Sequence, residues 1–451
     1  MLTLTYIKTV FPEIKGKLSN ENQHVEIMTD SRERVDNGLF IPIIGERFDA
    51  HQFIEQAIEN GAVAALWDRK KEIPSTIPES FVFFFVDDTA QALQQLAKKY
   101  RQDVNPIVIG ITGSNGKTTT KDLVSSVLAT KYRTHRTVGN FNNEIGMPLT
   151  ILQMKDDTEV LVVEMGMSDF GEIDRLTNIA QPDYAIITNI GESHIEHLGS
   201  REGIAKAKLE ITNGLKRDGK LLIDGDEKLL DICKEKENVI SIGFNENLTV
   251  TITNVQFIKQ MTTFEVNGKH YEIPLLGAHH AKNATFAITI GESLELTEEQ
   301  IQTGLKSVEH TSMRFEWLTG KNGVTIINDA YNASPTSMKA AIDVLKQLTG
   351  FKRKIVVLGD ILELGNYSES LHRSVAQHIS FPINIVYTHG NEARVISQEI
   401  IKRKKGIESS HFDDKEELIN KLQEHANEET IILFKASRGM KFEQFVESLL
   451  N

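Results

Sequence analysis

The sequence predicts an α/β protein of three domains: a small α/β domain over residues 1–105, a central doubly wound sheet over 106–313, and a second doubly wound α/β domain over 314–451. Three observations carry this expectation. Short apolar, mostly β-branched runs at 160–163, 185–188 and 355–358 alternate with helix-like stretches, the pattern of buried parallel strands joined by crossover helices. Directly after the apolar run 107–111 comes Gly113-Ser114-Asn115-Gly116-Lys117-Thr118-Thr119, the setting of a phosphate-binding loop between a strand and a helix. The alternation then lapses over 248–273, where 249–252 reads as a half-buried strand and Asn267-Gly268 as a hairpin turn. An antiparallel extension of an otherwise mostly parallel sheet is therefore expected there.

In chain order, the first block offers a strand at 38–42, a helix at 53–60, a buried strand at 81–86 and an amphipathic helix at 89–100. Pro106 disfavours helix at Asn105, so 103–106 reads as a linker. In the second block the loop strand leads into an amphipathic stretch at 121–132, with further helices at 172–178 and 201–215. The third block begins near Phe315, with strands at 325–327, 355–358, 383–387 and 430–434. The joint between the last two blocks falls at 311–317. Lys402-Arg403-Lys404-Lys405, the one basic run, reads as a solvated helix end.

The chain is 40% hydrophobic and 25% charged, which suits ordinary globular domains with cores of their own. Its net charge of −13 argues against broad nucleic-acid binding. It leaves room for anionic ligands at a local basic cluster, because distant charge is screened. The single Cys233 excludes an intramolecular disulfide and a multi-cysteine zinc site, and reads as a small apolar helix residue. Residues 1–17 lack a basic start followed by an apolar core, and the longest apolar stretch, 81–86, is too short to span a bilayer. A cytoplasmic protein without a membrane partner is expected.

The loop supplies backbone N–H groups for phosphate, Lys117 a positive charge and Thr118 a hydroxyl for magnesium. The generic loop has glycine where this chain has Ile111; here the early glycine is Gly113. A phosphate loop needs a metal partner, and Glu164 ends the strand at 160–163 on the side where open α/β sheets bind ligands. The alternative is a carboxylate capping the next helix. His194 and His197 are three apart without further ligands at useful spacing, so spacing alone favours surface or helix-start histidines. Lys206 and Lys208 read as the polar face of a helix. Asn140, Asn142 and Asn143 make an amide-rich loop suited to a sugar or peptide, or a plain turn. Residues 328–335 leave the same choice and end in the helix-start Pro335. His279 and His280 read as a helix start.

Taken together, these segments resemble the Mur ligases, the ATP-dependent amide-bond-forming enzymes of peptidoglycan precursor synthesis, over essentially the whole chain. The motifs at 112–119, 140–150, 164–166, 189–194, 277–283, 313–316 and 328–335 stand in family order. Segments 29–32, 359–365 and 435–440 resemble the branch that joins D-alanyl-D-alanine to UDP-N-acetylmuramoyl-tripeptide. The resemblance implies a Rossmann-like third domain and roles for individual residues. Gly113 to Thr119, Asn283, Arg314, Asn328, Asp329, Tyr331 and Asn332 would contact ATP, with Lys117 and Arg314 at the phosphates and Asp329 at the ribose. Thr118 and Glu164 would hold one Mg²⁺. His194 would hold a second with Lys208, the lysine that the family carbamylates with CO₂. Ser31, Arg32, Gly45 and His51, with Asn140, Asn142 and Asn143, would face the UDP-sugar. Lys435, Ser437 and Arg438 would face the dipeptide. Ala50 departs from the family's usual glycine before His51. The chemistry implied is an acyl phosphate, formed by attack of the substrate carboxylate on the γ-phosphate and consumed by the dipeptide amine. Lys117, Lys208, His194 and Arg314 would carry the catalysis, in a monomer. Two alternatives are another ligase of the superfamily, such as a folylpolyglutamate synthetase, and a P-loop ATPase that couples hydrolysis to shape change.

Overall fold

A computed structural model describes residues 2–18, 22–45, 47–258, 260–309, 311–403 and 406–450. Among these residues the strands form three sheets, separate in sequence, with helices interspersed. The first sheet runs in the order Ile14–Lys15, Val82–Val86, Ala62–Asp68, Gly38–Phe40, Glu26–Met28, parallel except for its first pair. Helix Thr89–Val104 follows it, capped by the Asp88 side chain, which accepts from Gln91 N–H. It ends at Asn105 with φ +51°, as a chain about to enter Pro106 must leave the helix. Its apolar face packs on helix Gly146–Leu152, and the Tyr100 hydroxyl donates to Met154 O at 2.8 Å, so the first sheet is docked on the second.

The second sheet has nine strands. Their spatial order is Thr134–Arg136, Val160–Glu164, Ile107–Thr112, Tyr184–Ile187, Lys220–Asp224, Val239–Gly243, Val250–Ile258, Met261–Val266, Lys269–Ile273. Pairing is parallel up to Val250–Ile258 and antiparallel beyond it, so the expected extension is present, turning at Asn267 and Gly268 with φ +51° and +80°. Side chains alternate between two cores, as a strand period of two requires. Val160 and Val162 face helices Lys117–Leu128 and Ala278–Ser293, whereas Leu161 and Val163 face the layer that includes Thr89–Val104 and Glu172–Ala180. The third sheet runs Glu316–Thr319, Thr325–Asn328, Thr430–Lys435, Arg353–Gly359, Ile385–His389, Glu408–Phe412, with only its first pair antiparallel.

Some elements differ from expectation. The helix expected over 201–215 is α-helical only over Arg201–Leu209 and then tightens into the 3₁₀ turn Glu210–Asn213. Glu210 is drawn away to accept N–H groups of Gly171 and Asp174 at the start of the neighbouring helix, a tertiary contact that wins over local continuation. The loop helix starts at Lys117 and ends at Leu128, four residues ahead of the amphipathic stretch at each end. Strand Glu408–Phe412 is too polar to stand out, because it lies on a sheet edge. Cys233 is buried in the one-turn helix Asp231–Lys234. Lys402 and Arg403 do end helix Arg394–Arg403, while Lys404 and Lys405 lie outside the described residues. Among the described residues no helix is long and apolar enough to cross a membrane.

Candidate active site

Strand Ile107–Thr112 delivers the glycine loop to the end of the second sheet that faces the third domain. Gly113 has φ +152°, and a Cβ there would sit 1.8 Å from Thr188 Oγ1. That hydroxyl is committed: it donates to Asn115 O at 2.6 Å, while Asn115 N–H donates to Asn189 Oδ1 at 2.9 Å. Gly116, at φ +79°, is the N-cap of helix Lys117–Leu128 and packs against Asn283. No side chain caps this helix, so its first-turn N–H groups are left for an anion. Lys117 Nζ donates to Gly113 O at 2.8 Å. Burial pushes its pKa below the ordinary lysine value; Glu164 opposes the shift and Arg314 adds to it.

Glu164 is 3% exposed at the end of its strand. Its two oxygens accept from Thr118 Oγ1 at 3.0 Å and Asn142 Nδ2 at 2.9 Å, so it faces the loop and does not cap a helix. A hydroxyl beside a carboxylate suits a hard cation such as magnesium. Among the described residues no three His, Cys, Asp or Glu side chains gather as a metal site.

Lys208 overturns its reading as polar helix face. It is 2% exposed, whereas Lys206 points to solvent with its ammonium 5.8 Å from the Phe170 ring centre. Burial drives the Lys208 pKa well below the ordinary value, and the Lys117 charge pushes the same way. His194 stands at the N-cap of helix Ile195–Leu198, as the helix-start reading has it, and is engaged across the domain boundary as well. It sits at φ +62° and its Nδ1 is in ion-pair contact with Glu363 of the third domain, off the line of a good hydrogen bond. The imidazole in turn holds the Glu363 carboxyl below its usual pKa.

The third domain brings Asp329, just past strand Thr325–Asn328, to the same cleft. One oxygen accepts from Phe315 N–H at 3.2 Å and the other pairs with the buried Lys435 Nζ at 2.6 Å. Arg314 lies over the Tyr331 ring at 4.3 Å, its Nε buried and without a partner. The flanking Met313 and Phe315 have φ of +61° and +53°, so the segment that carries Arg314 between domains is held in a strained backbone.

Together these groups line one cleft of about 440 Å³ between the second and third domains, well within the size of ligand pockets. Ser114 to Thr119, Asn140, Asn142, Asn143, Glu164, His194, Asn283, Arg314, Asp329, Tyr331, Asn332 and Lys435 all reach it, as do His279 and His280 at the start of helix Ala278–Ser293. Lys208 and Asn328 are buried without lining the cleft. Ser437 is buried and accepts from Leu362 N–H at 2.9 Å, and Arg438 pairs with Glu443 on the outside. The first-domain residues stand apart. Ser31 donates to Gln56, Arg32 pairs with Asp30, and Gly45 N–H donates to Phe48 O. His51 is buried, with Nδ1 2.6 Å from Asp49 and its ring edge-on to Trp67. Ala50 opens the 3₁₀ turn Ala50–Phe53, capped by Asp49, and takes no glycine-only conformation.

Three domain families tile the chain. The Mur ligase family catalytic domain matches residues 25–101, the Mur ligase middle domain 111–291, and the glutamate ligase domain of Mur ligases 313–438. The chain belongs to the Mur ligase family. The UDP-N-acetylmuramoyl-tripeptide–D-alanyl-D-alanine ligase of Bacillus subtilis is 46% identical over 99% of this chain and 98% of its own. A crystal structure of MurF from Acinetobacter baumannii superposes with a TM-score of 0.88 at 30% identity, covering 99% of this chain and 98% of that one. MurF ligase from Thermotoga maritima in complex with ADP gives 0.83 at 29% identity, covering 94% and 96%.

Within this Mur ligase, sequence reasoning missed several residues at the domain boundary. Glu192 accepts from Thr336 Oγ1 at 2.8 Å and from Thr336 N–H at 3.3 Å, and Ser334 Oγ donates to Asn115 Oδ1 at 3.0 Å. These contacts tie the start of helix Pro335–Gln347 to both loops of the central domain. Ser334 with Ser337 forms a capping box, a signal visible in the sequence. The partners of Glu192 and Glu363 have no such local signal.

Proposed function

We infer that this chain joins D-alanyl-D-alanine to the terminal carboxylate of UDP-N-acetylmuramoyl-tripeptide, at the expense of ATP, in peptidoglycan precursor synthesis. The observation that carries the reading is the single cleft in which the phosphate loop meets Arg314, Asp329 and Lys435 of the third domain. A carboxylate cannot acylate an amine directly, because its leaving group would be oxide. Attack of the substrate carboxylate on the γ-phosphate gives an acyl phosphate and ADP. The dipeptide amine then adds to the acyl carbon, phosphate departs, and the amine proton is lost to solvent. Lys117, the free N–H groups of its helix and Arg314 face the charge that builds on the transferring group. Magnesium held by Thr118 and Glu164, and a second ion near His194 and a carbamylated Lys208, would neutralise phosphate charge there.

In this reading residues 1–105 hold the UDP-sugar, 106–313 the ATP phosphates, and 314–451 the rest of the nucleotide and the dipeptide. Asp329 and Lys435 hold each other, which sets Asp329 for a ribose hydroxyl. Ser31, Arg32, Gly45 and His51 are the first-domain residues assigned to the UDP-sugar. Reaction in the cytoplasm as a monomer completes the proposal. Full-length similarity to the dipeptide ligases favours it over a folylpolyglutamate synthetase-like activity. Mass spectrometry of products from UDP-muramoyl-tripeptides ending in lysine or in a diamino acid, with D-alanyl-D-alanine and ATP, tests the reaction and the third-residue preference together. Turnover of ATP without an acceptor, and no amide product, would sink it in favour of a hydrolytic ATPase.

Two further results are expected. Gly113→Ala should weaken binding of a non-hydrolysable ATP analogue by about 10-fold or more, since Cβ must displace Thr188 from Asn115. Calorimetry that finds unchanged affinity in a folded variant would remove the loop assignment. The third domain should close as a rigid body about 311–317, shutting water away from the acyl phosphate. Small-angle scattering should then show a smaller radius of gyration with ATP analogue and UDP-substrate than without. The dipeptide should bind tightly only after them. An unchanged radius together with tight dipeptide binding to the free enzyme would count against closure.

A further inference from the structure

The segment from Ile190 to Gly199, which carries His194, is gripped from two sides by the third domain. On one side Glu192 receives the start of helix Pro335–Gln347 through Thr336. On the other, Glu363 meets His194 Nδ1, Glu363 O accepts from Glu196 N–H at 3.3 Å, and the Tyr367 hydroxyl donates to Gly199 O at 2.8 Å. Both members of the central pair are non-glycine residues in the left-handed region, His194 and Glu363 each at φ +62°. Such conformations cost free energy and persist where the surroundings enforce them, often where a side chain must be aimed. Here two strained residues on different domains aim their side chains at each other.

A histidine has two ring nitrogens, and a carboxylate on one fixes which is left to bind a metal. With Nδ1 against Glu363, Nε2 is the ring's remaining ligating atom, and His194 also lines the cleft. We propose that Glu363 is a positioning residue. By reaching across the domain boundary it orients His194 for the second metal ion, so that this ion's site is complete only when the third domain is apposed to the second. The inference rests on the reading of His194 as a metal ligand. It adds that the ligand is aimed by another domain, which would tie phosphoryl transfer to domain closure and spare ATP from hydrolysis in the open enzyme.

The test uses the full-length enzyme with a non-hydrolysable ATP analogue, UDP-substrate and Mn²⁺, counting bound ions by electron paramagnetic resonance. Glu363→Gln keeps size and polarity but loses the charge. It should weaken the weaker Mn²⁺ site by about 10- to 100-fold and leave the tighter one unchanged. The value of kcat should fall by a similar factor and recover partly at high Mg²⁺, with KM for the dipeptide little changed. Glu363→Asp, whose shorter arm keeps the charge, should recover part of the loss. Glu192→Gln should loosen closure in scattering without this metal-specific defect. His194→Ala separates the two claims. If it leaves both Mn²⁺ sites intact, the ligand reading fails and the proposal with it. If it abolishes one site while Glu363→Gln binds Mn²⁺ as the wild type does, the ligand stands and the positioning role is overturned. Equal weakening of both sites by Glu363→Gln would also overturn it, as a general disturbance of the fold.

Discussion

Replacing Lys117 by alanine should reduce amide formation by about 10³-fold or more while leaving the fold intact. Its ammonium sits at the mouth of the phosphate loop, held only by Gly113 O, and no carboxylate forms an ion pair with it among the described residues. A half-buried ammonium that lines the cleft and is hydrogen-bonded to a backbone carbonyl is poised for an anion. Comparable removal of a cation that meets the transferring phosphoryl group in nucleotide enzymes costs on the order of 10³ to 10⁵ in rate. Stability should move the other way. The folded state lowers the Lys117 pKa, so folding favours loss of its proton, and at neutral pH the charged side chain works against the fold. That handicap shrinks as pH rises toward the ordinary lysine value and is absent in the alanine variant. A melting temperature equal to or above wild type, together with lost turnover, is the expected pair of results. A well-folded variant with near wild-type turnover would show that the loop does not hold the reacting phosphate.

The parts of this site that were legible in the sequence are those built locally. The loop could be read because strand, glycines and helix are contiguous, and Glu164 because a carboxylate ends an apolar strand. The antiparallel extension announced itself at Asn267-Gly268, since that turn needs two positive φ values that these residues tolerate. The parts that were not legible depend on which distant surfaces meet. Lys208 follows Ile204, Ala205 and Ala207 on a short helix whose exposed face is narrow, and the periodicity of nine residues cannot tell a lysine at the edge of that face from one beneath it. The same limit hid Glu363: nothing near it in sequence marks a contact with His194 on another domain. Family resemblance is what proposes roles for His194 and Lys208, where residue patterns alone favoured bland readings. It did not supply the cross-domain pairs, which only the folded arrangement brings together.

Lys208→Ala should be nearly inactive, and short carboxylic acids such as acetate or formate added to the buffer should restore part of the activity. The argument starts from burial. An ammonium that is 2% exposed, with no ion-pair partner among the described residues and Lys117 near enough to repel it, is driven toward the neutral amine. The neutral amine is the form that reacts with CO₂: nitrogen attacks the carbon, the C=O electrons move to oxygen, and a proton leaves, giving a carbamate anion. One step thus turns an unfavourable buried cation into an anion suited to face a metal. Truncation to alanine leaves a space that a small carboxylate can enter with the same charge. Lys206→Ala should do little, because its side chain is exposed and lies over the Phe170 ring, away from the cleft. Activity should also fall on the acid side as Lys208 gains a proton, since a protonated amine cannot hold CO₂. Carbon-13 NMR after exposure to labelled bicarbonate should show one carbamate signal that the Lys208 variant lacks. Equal loss at both lysines, or full activity in the Lys208→Ala enzyme, would remove the carbamate from the mechanism and leave Lys208 as a buried structural amine.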